Sequence, residues 1–108
     1  MDVPEIDIAE AALRHGAGTP VIDVRESDEY AAGHVPGAPL IPLSTIPDRL
    51  GDVPLDGEVL IICKSGGRSR KAAEFLLAQG VSAVNIAGGT TAWIDAGHRV
   101  VMGEETGS

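Results

Sequence analysis

The chain contains a single cysteine, Cys63, among its 108 residues. One cysteine cannot form an intrachain disulfide, and it excludes zinc and iron–sulfur sites that need several cysteines. The three histidines, at positions 15, 34 and 98, lack the spacing of metal ligands, so no metal site is expected. Cys63 is therefore interpreted either as a reactive thiol or as a small buried apolar side chain, which is the commoner role of a lone cysteine.

Basic residues are also scarce, with 8 Lys and Arg against 16 Asp and Glu and a formal net charge of −8. Such an acidic chain repels polyanions, so no nucleic-acid partner is expected. The longest strongly apolar stretch, residues 59–63, is too short to cross a bilayer, so no membrane partner is expected either. The acidic residues Asp2, Glu5 and Asp7 stand where a signal peptide would be basic and then apolar. We predict a soluble, cytoplasmic protein.

Aromatic residues make up only 3% of the chain, although 44% of it is hydrophobic. Aliphatic side chains and alanine must therefore build the core. A chain of this length has room for one core only. We predict one domain over residues 1–102 and a flexible tail over residues 103–108, which lack apolar side chains.

Short β-branched runs alternate with amphipathic segments along the chain. This alternation predicts an α/β fold, a three-layer α/β/α domain around a central, mostly parallel sheet of five strands. The predicted extended segments are residues 21–24, 40–41, 59–62, 84–86 and 100–101. The predicted helices run from the cap Asp7 to Gly16, from the cap Ser27 to Gly33, and over residues 46–50, 69–79 and 91–96.

Cys63 directly follows the most apolar predicted strand, residues 59–62. Parallel sheets place ligands beyond the carboxyl ends of their strands. The next residues include Gly66 and Gly67, which allow a loop to curl so that its N–H groups point inward. The predicted helix from Ser69 adds unpaired N–H groups and partial positive charge. Such a loop would lower the pKa of the thiol and produce a nucleophilic thiolate.

Half of the Lys and Arg residues fall within residues 64–71. This basic cluster on an acidic chain suits a small anionic substrate better than a polymer. For Arg70 and Lys71 a solvated helix face explains the charge equally well. Arg68 differs because it closes the loop itself.

Four motifs in order resemble those of the rhodanese domains, over about residues 5–101. Residues 63–69, Cys-Lys-Ser-Gly-Gly-Arg-Ser, are similar to the family's active-site loop, C-x-x-G-x-R-S. Residues 23–25 resemble its Asp-Val-Arg signature, and residues 33–38 resemble its G-H-[IV]-P-G-A turn. Residues 88–93 resemble its G-G-x-x-A-W ending.

The resemblance implies a thiosulfate sulfurtransferase that needs no metal or organic cofactor. Cys63 would accept the outer sulfur of thiosulfate and pass it from the persulfide to cyanide or a thiol. Arg68, assisted by Lys64, would offset the charge of the anionic donor. The backbone N–H groups that would hold the sulfur and the departing anion belong to Lys64, Ser65, Gly66, Gly67, Arg68 and Ser69.

Three further matched residues are interpreted as supporting ones. Asp23 and Arg25 are expected to pair with each other or to bind loop backbone. His34 is expected to fix a turn by hydrogen bonding, because a thiolate stabilised by amides needs no general base. Trp93 is expected to pack in the core or at its rim.

Two alternatives stay open. Rhodanese-like domains also act as persulfide carriers or regulatory modules that work with a partner protein, which here would be a sulfur-relay protein. A phosphatase or arsenate reductase on the same fold is the other alternative. The cell-cycle phosphatases of this architecture resemble a C-x5-R pattern, whereas four residues separate Cys63 from Arg68. The shorter loop favours sulfur transfer over phosphoryl transfer.

Overall fold

A computed structural model of the protein describes residues 2–106. Four strands alternate with four helices in chain order. They are β1 Glu5–Ile6, α1 Ile8–Gly16, β2 Val21–Asp23, α2 Ser27–Ala32, β3 Glu58–Ile62, α3 Gly67–Ala78, β4 Ser82–Ile86 and α4 Gly89–Asp95. Two short 3-10 helices, Leu43–Asp48 and Leu50–Asp52, lie between α2 and β3. None of the helices among these residues is long and apolar enough to span a bilayer.

The described strands form one parallel sheet in the order β1-β4-β3-β2. In the centre, β3 pairs with β2 on one side and β4 on the other, and residues 59–62 of β3 are fully buried. A continuous aliphatic run is what a strand covered on both faces requires. The predicted parallel sheet, with residues 59–62 as a strand buried on both faces, is therefore confirmed.

The prediction of five strands is wrong for the described residues, which contain four. The segments 40–41 and 100–101 make single bridges only, from Leu40 to Asp23 and from Val101 to His34. Prolines flank residues 40–41 on both sides, and they remove the N–H donors that a longer ladder would need. The two-residue strand β1, by contrast, was not predicted.

Helices cover both faces of the sheet and create two apolar clusters. On one face, Ala72 and Leu76 of α3 pack with Ile46 of the first 3-10 helix. On the other face, Ala11 of α1 packs with Trp93 of α4, which is 4% exposed. The predicted three-layer α/β/α arrangement is confirmed.

The helix boundaries follow local capping chemistry. Asp7 caps α1 as predicted, accepting the Glu10 N–H at 2.9 Å. The cap predicted for α2 is wrong by one residue, because Glu26 is the N-cap and its N–H donates to the Glu29 carboxylate at 3.1 Å. Helix α3 begins at Gly67, two residues earlier than predicted, so the loop after Cys63 is shorter.

The C-terminal segment makes backbone contacts to α2 and to the turn that follows it. Gly103 N–H donates to the Ala31 carbonyl at 2.8 Å, and Gly37 N–H donates to the Thr106 carbonyl at 2.7 Å. Residues 107 and 108 of the predicted flexible tail lie outside the described residues.

Candidate active site

Cys63 lies at the carboxyl edge of the sheet, between the end of β3 and the start of α3. Gly66 caps α3 in the left-handed conformation, with φ of 115°, which favours glycine. Because α3 starts at the next residue, its first N–H groups stand close to the cysteine. The α/β topology thus places the thiol at a helix N-terminus, where partial positive charge favours an anion.

Hydrogen-bond donors surround the sulfur. Gly66 N lies 3.1 Å and Ser69 Oγ 3.2 Å from Cys63 Sγ. Burial is the largest single influence on this thiol and raises its pKa. The Ser69 hydroxyl and the amides of Ser69, Gly66 and Ser65 outweigh burial together, so the pKa of Cys63 lies below its ordinary value. The site therefore favours a thiolate.

Helix α4 explains why amides are available on this loop. The Cys63 carbonyl accepts the Thr90 N–H at 2.8 Å and the Thr90 hydroxyl at 3.0 Å. The Lys64 carbonyl accepts the Thr91 N–H at 3.1 Å. Because both carbonyls point toward α4, the N–H groups that follow in the loop are directed toward the sulfur. This role of Thr90 and Thr91 was not predicted from the sequence.

Gly89 makes the contact between α4 and the loop possible. A Cβ at Gly89 would lie 2.5 Å from both the Cys63 and the Lys64 carbonyl oxygens, far inside van der Waals contact. The residue also has a φ of 57°, in the left-handed region. The second glycine of the Gly88-Gly89 pair is thus required by close backbone approach.

Cys63 is more enclosed than sequence analysis led us to expect. The residue is only 1% exposed. A pocket of about 260 Å³ borders Lys64, the residue after Cys63, and Thr90 of α4, which binds the Cys63 carbonyl, but Cys63 itself does not line it. The pocket is lined by Arg25, Glu29, Ala32, Lys64, Thr90, Thr91 and Ile94. A small donor approaching through this pocket must reach a sulfur that is nearly covered.

A larger cavity, of about 420 Å³, lies elsewhere on the molecule. It is lined by Ala12, His15, Pro36, Trp93, His98 and Arg99. None of the loop residues 63–69 borders it, so it offers no path to the thiol.

Arg68 has a partner that sequence analysis did not identify. Its guanidinium donates to both carboxylate oxygens of Glu29, at 2.7 and 2.8 Å. The Arg68 hydrogen bond is the main cause that lowers the pKa of Glu29 to about 2, and the same bond raises the pKa of Arg68. The pair links α3 to α2. It also neutralises the positive charge of Arg68, which was expected to bind the anionic donor. Lys64 is exposed.

Asp23 and Arg25 form a buried ion pair at the end of β2. Arg25 Nη2 donates to Asp23 Oδ2 at 2.9 Å and to the Gly33 carbonyl at 2.8 Å. Asp23 is 0% and Arg25 5% exposed. These contacts fix the chain between β2 and the turn that follows α2.

His34 is fully buried, and both of its ring nitrogens face backbone carbonyls. Nδ1 lies 2.7 Å from the Tyr30 oxygen and Nε2 2.6 Å from the Glu105 oxygen. Its ring stacks on the Tyr30 ring with centroids 3.5 Å apart. Both ring nitrogens are thus held against backbone carbonyls, and His34 does not line the pocket beside the loop.

Asn85 of β4 extends the contacts of the cysteine in a direction not foreseen. Its Oδ1 lies 2.5 Å from Ser69 Oγ, and its Nδ2 donates to Glu5 at 2.8 Å and more weakly to the Gly66 carbonyl at 3.3 Å. Asparagine is disfavoured inside strands. That signal could have identified Asn85 as a residue with a special role.

The geometry defines an α/β domain with a thiol held among amides at a strand end. A family model, the rhodanese-like domain, matches residues 7–96. A sulfurtransferase from Allochromatium vinosum is 39% identical over 78% of this chain and 79% of its own. The thiosulfate sulfurtransferase GlpE of Pseudomonas entomophila is 39% identical over 76% and 75%, respectively.

Solved structures of rhodanese-related proteins share the fold of this chain. A crystal structure of a rhodanese-related protein from Thermoplasma volcanium superposes with a TM-score of 0.86 at 32% identity, covering 92% of this chain and 98% of that one. The chain belongs to the rhodanese-like domain family. The sequence relatives place it among the family's sulfurtransferases.

Proposed function

We propose that the protein transfers sulfane sulfur from thiosulfate to a thiophilic acceptor through a persulfide on Cys63. The observation that carries the proposal is the lowered pKa of this sole thiol, whose sulfur has the Gly66 amide and the Ser69 hydroxyl within 3.2 Å. A thiolate is the form of cysteine that attacks sulfur. The name of the Pseudomonas entomophila relative supports thiosulfate as the donor.

The first half-reaction transfers a sulfur atom to the cysteine. The Cys63 thiolate attacks the outer sulfur of thiosulfate and forms a new S–S bond. The bond between that sulfur and the sulfonate sulfur breaks, and sulfite leaves with its electron pair. In the second half-reaction, cyanide or a thiolate attacks the outer sulfur, and the Cys63 thiolate is released. Electrons balance without an external oxidant, metal or organic cofactor.

The loop amides and Lys64 hold the anions in this scheme. The amides of residues 64–69 stabilise the terminal sulfur and the departing sulfite. Arg68 was expected to offset the donor's charge, but its pairing with Glu29 leaves that task mainly to Lys64, which lines the adjoining pocket. We assign Arg68 instead to holding the loop and α3 against α2.

A persulfide carrier is the second candidate. Cys63 is 1% exposed, so a free anion reaches its sulfur with difficulty, and a sulfur carrier does not need rapid turnover of free thiosulfate. The chain has no second cysteine to resolve a persulfide, so the acceptor must come from outside. Slow thiosulfate turnover together with rapid, saturable transfer from a cysteine desulfurase would identify the carrier. The predicted cytoplasmic location stays a prediction.

The proposal is tested by thiocyanate formation from thiosulfate and cyanide, with Cys63→Ser as the matched control. We expect turnover in the wild type only, since serine at this position cannot form a persulfide. Mass spectrometry of the protein after thiosulfate treatment should show the gain of one sulfur atom in the wild type and none in the variant. Equal turnover in the two proteins would contradict the proposal.

A further inference from the structure

The Ser69 hydroxyl stands between two acceptors but carries one proton. Its oxygen lies 3.2 Å from Cys63 Sγ and 2.5 Å from Asn85 Oδ1. Ser69 is 0% exposed and Asn85 1% exposed, so bulk solvent does not reach this pair of side chains. A hydroxyl can donate only one hydrogen bond at a time. The hydroxyl therefore donates either to the sulfur or to the amide oxygen.

The orientation of the Asn85 amide is fixed by its other contacts. Nδ2 faces the Glu5 carboxylate at 2.8 Å and the Gly66 carbonyl at 3.3 Å. Turning the amide around would place Oδ1 against two acceptors, which is unfavourable. Strand β1 holds Glu5 in this place, since Glu5 is the register partner of Asn85. Asn85 consequently presents an acceptor, and not a donor, to Ser69.

We infer that Asn85 is a positioning residue that competes with the Cys63 sulfur for the hydroxyl proton of Ser69. When Asn85 holds the proton, Ser69 Oγ is free to accept a hydrogen bond from the Cys63 thiol. When the thiol ionises, the hydroxyl turns to the sulfur, and Asn85 Oδ1 loses its donor. The inference rests on the proposed function, because the acceptor of the Ser69 hydroxyl proton matters for activity only if Cys63 is the nucleophile.

The competition has a chemical use. The nucleophilicity of a thiolate falls as its pKa falls, and the best attacking thiol has a pKa near the ambient pH. Amides, a helix N-terminus and a serine hydroxyl all act to stabilise the Cys63 thiolate. By competing for the hydroxyl proton, Asn85 limits that stabilisation and keeps the thiolate reactive.

The charged side chains around the loop keep their charges when Asn85 is replaced, although Glu5 loses the hydrogen bond from Asn85 Nδ2. They are Glu5 on β1, Arg25 after β2, Glu29 on α2, Lys64 in the loop, and Arg68 and Arg70 on α3. Asn85 itself is uncharged, so its replacement leaves all of these charges in place. A change in the pKa of Cys63 on replacing Asn85 then reports the hydrogen-bond competition.

The test is a spectroscopic titration of the Cys63 thiolate in the 108-residue chain, where the sole cysteine gives an unambiguous signal. We expect Asn85→Ala to lower the pKa of Cys63 by about half to one pH unit, as for one hydrogen bond released to the thiolate. The fully ionised thiolate should alkylate about twofold more slowly, in line with its lower basicity. Asn85→Val, whose side chain suits a strand, provides a second variant if Asn85→Ala does not fold.

A double-variant comparison isolates the hydroxyl. In a Ser69→Ala background there is no proton to compete for, so we expect Asn85→Ala to leave the pKa of Cys63 unchanged there. An unchanged or raised pKa in the single variant, or an equal fall in both backgrounds, overturns the inference. The titration needs no sulfur donor, so the inference can hold or fail whether or not thiosulfate is turned over.

Discussion

At the scale of single residues, some charged side chains near Cys63 form ion pairs within the described part of the chain, and others are exposed without such a pair. Arg68 is bound to Glu29 at both carboxylate oxygens, and Arg70 lies 3.6 Å from Glu5. Lys64 takes part in none of the ion pairs formed by the described residues, and it borders the pocket next to Cys63. The cation best placed to meet an anionic donor is therefore Lys64.

Lys64→Ala should raise the KM for thiosulfate by about three- to tenfold, the effect expected of one partly exposed charge contact. The kcat should change less, because the thiol and the amides around it stay in place. Steady-state thiosulfate–cyanide kinetics give both constants.

Lys71→Ala is the matched control for this prediction. Lys71 is exposed on α3, lies in the same basic cluster and does not line the pocket. We expect the KM of the Lys71→Ala variant for thiosulfate to match that of the wild type. Equal increases in the two variants would mean that general charge, and not Lys64, attracts the donor.

At the scale of elements, the position of α4 decides which groups of the loop face the sulfur. The contact depends on Gly89, whose Cβ would lie 2.5 Å from two backbone oxygens that cannot move separately from the loop. Any side chain at this position must push α4 away from Cys63. The hydrogen bonds from Thr90 and Thr91 would then lengthen.

Gly89→Ala should lower the free energy of unfolding by about 2 kcal/mol or more and abolish most of the sulfur transfer. Two causes act together, the left-handed φ and the clash with the loop. Urea denaturation measures the stability, and the thiosulfate–cyanide assay measures the activity.

Gly97→Ala separates these two causes. Gly97 has a φ of 83°, but a Cβ there would meet nothing within 4 Å. We expect this variant to lose about 1 kcal/mol from backbone strain alone and to keep its activity. If both variants lose the same stability and activity, the approach of α4 to the loop does not matter as argued.

At the scale of the whole molecule, local patterns predicted most elements, and contacts distant in sequence escaped prediction. The buried run of β3 and the cap of α1 are signals that neighbouring residues carry by themselves. Strand β1 has only two residues, too few for any periodicity, yet it brings Glu5 to Asn85.

At the candidate site, too, local patterns were predictive and contacts distant in sequence were not predicted. The loop from Cys63 to Ser69 was predicted because its residues are contiguous and lie at a strand end. Glu29 was not connected to Arg68, because 39 residues separate them and only the packing of α2 beside α3 joins them. Tertiary packing thus changed the expected role of Arg68 while leaving Cys63 as the candidate nucleophile.

This bridge between α2 and α3 also links the stability of the whole molecule to pH. The pKa of Glu29 is lowered from 4.5 to about 2, chiefly by the Arg68 hydrogen bond. A lowered pKa in the folded state stabilises the fold above the ordinary carboxyl pKa. That stabilisation is lost as the pH falls through about 2. The side chains of Glu29 and Arg68 are 26% and 36% exposed, so solvent screens the pair.

Glu29→Gln should therefore lower the free energy of unfolding by about 1 kcal/mol at pH 7, a figure discounted for this screening. The difference from the wild type should shrink steadily between pH 4.5 and 2, as the wild-type carboxylate becomes protonated. Urea denaturation followed by the fluorescence of Trp93, the sole tryptophan, measures it at each pH. Asp28→Asn removes the same charge from the same helical turn, outside the ion pairs of the described residues, and should show no such loss. A constant difference at every pH would mean that Glu29 acts through packing and not through its charge.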